Sequence, residues 1–167
     1  RKMVVLQSHL DMVHQKNGDT EFDFDTQGIQ SYIDGDWVTA KGTTLGADNG
    51  MGVAAIMAVL SSDDIPHPEL EALFTIDEET GMTGAHGLKA NVLKGEILMN
   101  LDTEEDDELS IGCAGGIDIN IKWDYVTEKL EEGKKAFDLH LTGLKGGHSG
   151  MDIIKCRANA NKVLIRI

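Results

Sequence analysis

Met3-Val4-Val5-Leu6-Gln7-Ser8-His9-Leu10-Asp11 is the stretch on which the fold turns: four apolar residues run without a break into polar ones. A short continuous apolar run suits a strand buried on both faces, and the change to polar residues marks the end at which a site opens. Just past that strand end, His9 can turn its imidazole toward a metal, with Asp11 close enough to orient the other ring nitrogen. Taken alone, His-x-Asp also fits an ordinary hydrogen-bonded loop, so the weight falls on the acids downstream.

Leu70 to Ile76 reads as a second strand running into Asp77-Glu78-Glu79-Thr80-Gly81, and Glu96 to Leu101 as a third ending at Asp102. Thr83 to Val92, between them, has the pattern of a short helix packed on a sheet, which gives the βαβ arrangement of an α/β domain. Upstream, Gly42-Thr43-Thr44-Leu45-Gly46-Ala47-Asp48-Asn49-Gly50 forms a glycine loop, and from Met51 to Leu60 nearly every residue is apolar or small. A helix apolar on all sides is expected to be buried, with its N-terminus bringing Asp48 inward. The plainer role for Asp48 is as the N-cap of that helix. Three separate strands thus end in acid or imidazole, and ligands of open α/β sheets gather at the carboxyl ends of strands.

Between the first strand and the glycine loop, Tyr32-Ile33-Asp34-Gly35-Asp36-Trp37-Val38 carries the Asp-Gly signal of a hairpin and reads as a surface flap. Near residue 116 the pattern changes. Ile117, Ile119 and Ile121 alternate with polar residues, as do Phe137, Leu139 and Leu141 beyond a charged turn, so two half-exposed strands are expected there. The loop from Gly143 to Gly150 then leads to a helix with Val163, Leu164 and Ile167 on one face. This divides the chain into one domain over 1–115 and the start of a second, α+β domain over 116–167. The chain starts directly before a strand and stops inside an apolar helical pattern, as a piece of a longer protein would.

Of the 167 residues, 15 are Lys or Arg and 29 are Asp or Glu, a formal charge of −14. Nucleic acid and anionic membranes are repelled by such a chain, so neither is an expected partner. The run Glu104 to Glu108 accounts for some of that charge as a solvated loop. Cys113 and Cys156 provide no disulfide framework, which points to the reducing cytoplasm, and each reads as a small core residue. No stretch is long and apolar enough to span a bilayer as a helix.

His9, Asp11, Asp48, Glu78, Glu79 and Asp102 remain. One imidazole and several carboxylates in a partly buried cleft repel one another unless cations stand among them. Nitrogen and oxygen donors without thiolate suit zinc, manganese or cobalt, zinc above all where water must be activated. With this many acids, two ions about 3.5 to 4 Å apart, bridged by one Asp, are expected. A neighbouring Glu that binds no metal is then the general base. Glu78 and Glu79 point in different directions from an extended backbone, and spacing does not say which of them ligates.

His9-Leu10-Asp11, Gly46-Ala47-Asp48-Asn49-Gly50, Glu78-Glu79, Asp102 and Gly146-Gly147-His148-Ser149-Gly150 occur in the order seen in the co-catalytic zinc exopeptidases related to carboxypeptidase G, aminoacylase and carnosinase. The chain resembles that family along nearly its whole length, its dipeptidase members most of all, including Cys113-Ala114-Gly115-Gly116-Ile117-Asp118. The resemblance implies a zinc-exopeptidase-like catalytic domain, a central mixed sheet flanked by helices, followed by a lid of the dimerisation type. It implies that Asp48 bridges two zinc ions, that His9 and Asp102 complete one site, and that Glu79 ligates the other. Glu78 becomes the general base, Asp11 the residue that holds the His9 ring, and His148 a lid histidine that reaches a substrate carbonyl in the partner subunit of a homodimer. The family's second metal takes a further ligand from near the far C-terminus, which this sequence does not reach. The implied substrate is a dipeptide of the Xaa-His type such as carnosine. The alternatives are an N-acyl amino acid deacylase or tripeptidase with the same metals, and an inactive fragment or binding module.

Overall fold

A computed structural model of the chain describes residues 2–103, 105, 107–113, 115–117, 119–148 and 150–167. Glu104 and Asp106 of the acidic run, Ala114 and Asp118 of the Cys113 motif, and Ser149 of the glycine-rich loop lie outside the described residues. The elements in chain order are β1 (Val4–His9), β2 (Ser31–Asp34), β3 (Trp37–Ala40), α1 (Ala47–Ser61), β4 (Leu70–Thr75), α2 (Thr83–His86), β5 (Ile97–Asn100), a 3₁₀ turn (Ile153–Lys155) and α3 (Ala160–Leu164). They fall into two compact units, Arg1–Gly112 and Cys113–Ile167.

The first unit is built on a parallel sheet in the order β4-β1-β5. β1 pairs Val4 with Leu70 on one side and with Ile97 on the other, so all three strands present their carboxyl ends at the same edge. Val5, in the apolar half of β1, is buried. The polar half also belongs to the strand, because its side chains find partners. Gln7 Nε2 donates to Thr75 Oγ1 at 3.2 Å, and Asn100 Nδ2 donates to Gln7 Oε1. Ser8 Oγ donates to the Asn49 carbonyl at 3.2 Å. His9 is therefore the last residue of β1 rather than a residue beyond it.

β2 and β3 form the antiparallel hairpin expected between Tyr32 and Val38. Asp34 faces Trp37 across a two-residue loop whose first residue, Gly35, has φ +61°, a conformation that glycine adopts without steric cost.

α1 differs from the expectation of a helix buried all round. Its buried residues are Asn49, Gly52 and Ile56, a narrow stripe at helical spacing that packs on β1. Met51, Met57 and Leu60 are 70%, 60% and 50% exposed. A single sheet face covers a single side of a helix, and composition cannot say how many faces are covered. The expected helix over Thr83 to Val92 also shortens to one turn, Thr83–His86. Gly87 closes it, and Asn91 turns left-handed at φ +64°.

In the second unit, the alternating stretches 117–122 and 137–141 form no strand among the described residues. Ile117, Ile119, Ile121 and Phe137 are exposed. An isolated strand pair is marginal until a third strand or a helix covers its apolar face, and no element among the described residues of this unit does so. α3 is capped by Asn159, whose side chain accepts a hydrogen bond from the Lys162 N–H at 3.0 Å, and Ile167 lies beyond its end. Cys113 and Cys156 are exposed, contrary to their reading as core residues.

Candidate metal centre

β1 ends at His9, the turn after β4 carries Glu78 and Glu79, and Asp102 follows β5. Parallel pairing brings these three strand ends together, and the start of α1 adds Asp48. His9 Nε2 lies 3.0 Å from Asp48 Oδ1, 3.6 Å from Asp102 Oδ2 and 3.9 Å from Glu78 Oε2. Two sets of potential ligand atoms result, each within 4.8 Å: His9 with Asp48 and Glu79, and His9 with Glu78 and Asp102. The sequence-predicted residues of the first unit are thus gathered in one place. His148 belongs to the second unit, where its Nδ1 accepts the Gly150 and Met151 N–H groups at 3.1 Å.

Asp48 arrives there through its loop rather than by capping the helix. Gly46 turns the loop at φ +82° and ψ 27°, Asp48 and Asn49 then depart from helical backbone angles (ψ 109° and 33°), and the Asp48 carboxylate meets His9 Nε2 at 3.0 Å. A Cβ on Gly46 would stand 2.9 Å from Met12 Sδ, so both the backbone angle and the space call for glycine. Asp48 is the most open of these groups, with its side chain 68% exposed. On the β4 side, Asp77 takes a left-handed turn at φ +61°, and its carboxylate accepts from Thr80 Oγ1 and from the Thr83 N–H. Asp can adopt that conformation more readily than most residues, and the turn presents Glu78 and Glu79 to different ligand sets.

The ring of His9 is oriented by Asp11. A carbonyl can only accept, so the 3.0 Å contact between His9 Nδ1 and the Asp11 carbonyl fixes the proton on Nδ1. Asp11 Oδ1 lies 3.4 Å from the same nitrogen, and Oδ2 accepts the Glu79 N–H at 3.0 Å. Neutral His9 consequently aims the lone pair of Nε2 at carboxylate oxygens, which carry lone pairs of their own. Either a proton or a cation must stand between them.

The charges respond accordingly. Burial by itself pulls the His9 imidazole down, but the Asp102 charge, the Asp48 hydrogen bond, the Asp11 carbonyl and the Glu78 charge outweigh it and raise the pKa. Burial pushes the Glu78 carboxyl up, and the charges of Asp102, Asp48 and Asp11 push the same way. Glu79 is raised by burial, then by Asp48 and Glu78. Asp11 is held below the usual carboxylate range: burial opposes this, but the N–H groups of Glu79 and Glu78, its own N–H and His9 prevail.

A divalent cation fits this donor set. The ligand atoms are one imidazole nitrogen and carboxylate oxygens with no thiolate, and their mutual repulsion needs positive charge. Asp11 Oδ1 is buried without a hydrogen-bond donor among the described residues, 3.4 Å from His9 Nδ1, which adds one more uncompensated negative atom to the cluster. Beside Glu78 and Asp102 opens a cleft lined by Leu73, Ile76, Met82, Leu88 and Leu98. Sequence reasoning missed one residue of the site, Asn49, whose Nδ2 donates to Asp102 Oδ1 at 3.0 Å. Its only signal was a polar amide beside Asp48 at the head of an apolar helix.

Comparison with known proteins gives a consistent picture. Residues 5–151 match the family described as peptidase family M20/M25/M40. The chain is 54% identical over 166 residues to the cytosol non-specific dipeptidase of Escherichia coli strain K12, covering 99% of this chain and 34% of that protein. A shorter match, 49% identical over 53 residues, links it to peptidase T of Salmonella arizonae and covers 29% of this chain and 13% of that one. Among solved structures it superposes on the aminoacylhistidine dipeptidase of Vibrio alginolyticus with a TM-score of 0.67 and 52% identity, over 99% of this chain and 34% of that one. The chain therefore spans about a third of the length of these two dipeptidases.

Proposed function

Because this chain belongs to peptidase family M20/M25/M40, we propose that its first unit carries the metal centre of a dipeptidase acting on Xaa-His dipeptides such as carnosine. The observation that carries this reading is the Nε2 lone pair of His9, held by Asp11 against Asp48, Asp102 and Glu78. The name of the Escherichia coli relative supports a dipeptidase, and that of the Vibrio alginolyticus relative supports the Xaa-His substrate class.

Two divalent ions, zinc ahead of manganese or cobalt, would suit the donors: His9 and Asp102 would hold one, Glu79 the other, and Asp48 would serve both. When bound, such ions polarise the peptide carbonyl and acidify water. Glu78 is the general base, taking the proton of the attacking water and passing it to the leaving amine nitrogen. Asp11 keeps the His9 ring in one tautomer throughout. The apolar cleft beside Glu78 receives a substrate side chain.

The second unit acts as a lid in a homodimer, working in the cytoplasm. Backbone N–H groups donate to His148 Nδ1, so the ring proton sits on Nε2, from which it is donated to a substrate carbonyl. Glu78→Ala in the full-length protein is expected to lower turnover of a Xaa-His dipeptide at least ~100-fold with metal content unchanged. Turnover that survives the change rules out this base. Carnosine screened against N-acetyl amino acids and tripeptides separates the dipeptidase from a deacylase or tripeptidase.

A further inference from the structure

We propose that Asn49 is a positioning residue that binds Asp102 through one carboxylate oxygen and so turns the other toward the centre, and that Gly52 provides the room for it. The inference rests on the metal-centre reading above.

Asn49 is 5% exposed and begins the buried stripe of α1. Its Nδ2 donates to the Leu101 carbonyl and to Asp102 Oδ1, each at 3.0 Å. Both partners there can only accept, so the amide's nitrogen end must face them, and the orientation is fixed by chemistry. With Oδ1 engaged, Asp102 is left with Oδ2 facing His9 Nε2 at 3.6 Å. A carboxylate pinned in this way offers one oxygen in one direction, where an unpinned one would rotate and offer either.

The same residue reaches the other ligand-bearing elements. Its carbonyl accepts from Ser8 Oγ at 3.2 Å, next to His9 in β1, and its backbone follows Asp48 directly. One buried side chain thus links the loop that carries Asp48 to the strand end that carries Asp102. Gly52 lies beneath this junction. A Cβ there would fall on Asn49 Oδ1, 2.7 Å from Ser8 Oγ and 3.1 Å from the Leu101 carbonyl. Any larger residue must displace the Asn49 amide. As plain core, position 49 would be better filled by an apolar side chain, because Asn49 Oδ1 is buried and accepts no hydrogen bond among the described residues.

The test uses the full-length protein, with zinc affinity measured by competition against a chromophoric chelator and thermal unfolding of each metal-free variant recorded alongside. Asp102→Ala sets the scale of losing the ligand. Asn49→Ala and Gly52→Ala are each expected to weaken the affected zinc ion by roughly 10–100-fold. Gly52→Ala should add little in an Asn49→Ala background, because it acts through the same amide. A merely structural role would lower the unfolding temperature of the metal-free protein and leave zinc affinity alone. If Asn49→Ala does not fold, Gly52→Ala carries the same expectation. The positioning role is overturned by zinc affinity within about threefold of wild type in both variants while Asp102→Ala weakens it. If Asp102→Ala itself changes nothing, the metal-centre reading falls and this inference falls with it.

Discussion

His9 Nδ1 has a carbonyl to donate to, and that leaves its Nε2 as a lone pair among carboxylates. The pairing of His9 with Asp11 was legible because the two lie two residues apart, within reach of one another whatever the rest of the chain does. Asn49 was not legible in the same way. Its partners Leu101 and Asp102 are more than fifty positions away, and an amide at a helix start has ordinary local uses. Asp48 was open to two roles, and the structure turns its carboxylate to His9 from a non-helical stretch at the head of α1. Gly46→Ala is expected to destabilise the protein by roughly 1–2 kcal/mol, the cost of forcing a side chain into the left-handed region. Chemical denaturation measures this, and an unchanged midpoint would show that the loop relaxes freely.

Strands rich in apolar residues were visible as elements because periodicity and composition are local properties. β4 and β5 lie within the stretches expected for them, and the hairpin forms around Gly35 as its Asp-Gly signal suggests. Coverage was the hidden variable: α1 buries one stripe of an apolar surface, and the alternating stretches of the second unit find no partner strand among the described residues. In that unit the loop around His148 is held by a different device. Asp152 Oδ2 accepts from the His148 N–H at 3.0 Å and from Arg157 Nη1 at 2.8 Å, while Arg157 also donates to the Gly146 carbonyl. The Lys155 ammonium, then the His148 N–H and Arg157, hold the Asp152 carboxyl below its ordinary value of 3.8. A depressed acid stabilises its surroundings above its unfolded pKa and loses that contribution as pH falls through the folded one. The loop should therefore stay ordered above about pH 4 and loosen below it, and Asp152→Asn should remove the pH dependence. NMR shifts of the His148 and Gly146 amides against pH measure this; identical curves for wild type and variant would refute it.

For the molecule as a whole, a charge of −14 and a cluster of acids around one imidazole make positive charge part of the stability balance. Removing metal with a chelator should lower the unfolding temperature, and zinc at 100 times its dissociation constant should restore about 2.7 kcal/mol. Magnesium, which prefers all-oxygen sites and holds its waters, should restore far less. Unfolding curves that coincide with and without chelator would remove the cation from the fold's energetics. The sequence by itself determined which residues end strands, which donors they offer, and the order of motifs that marks the family, because each is written in neighbouring residues. Only the tertiary structure decided that β4 and β5 flank β1, so that residues 9, 78 and 102 meet and Asn49 reaches across to Asp102. Parallel strands pair through backbone groups that every residue carries, so their choice of neighbour is made by the packing of the whole sheet and no short stretch records it.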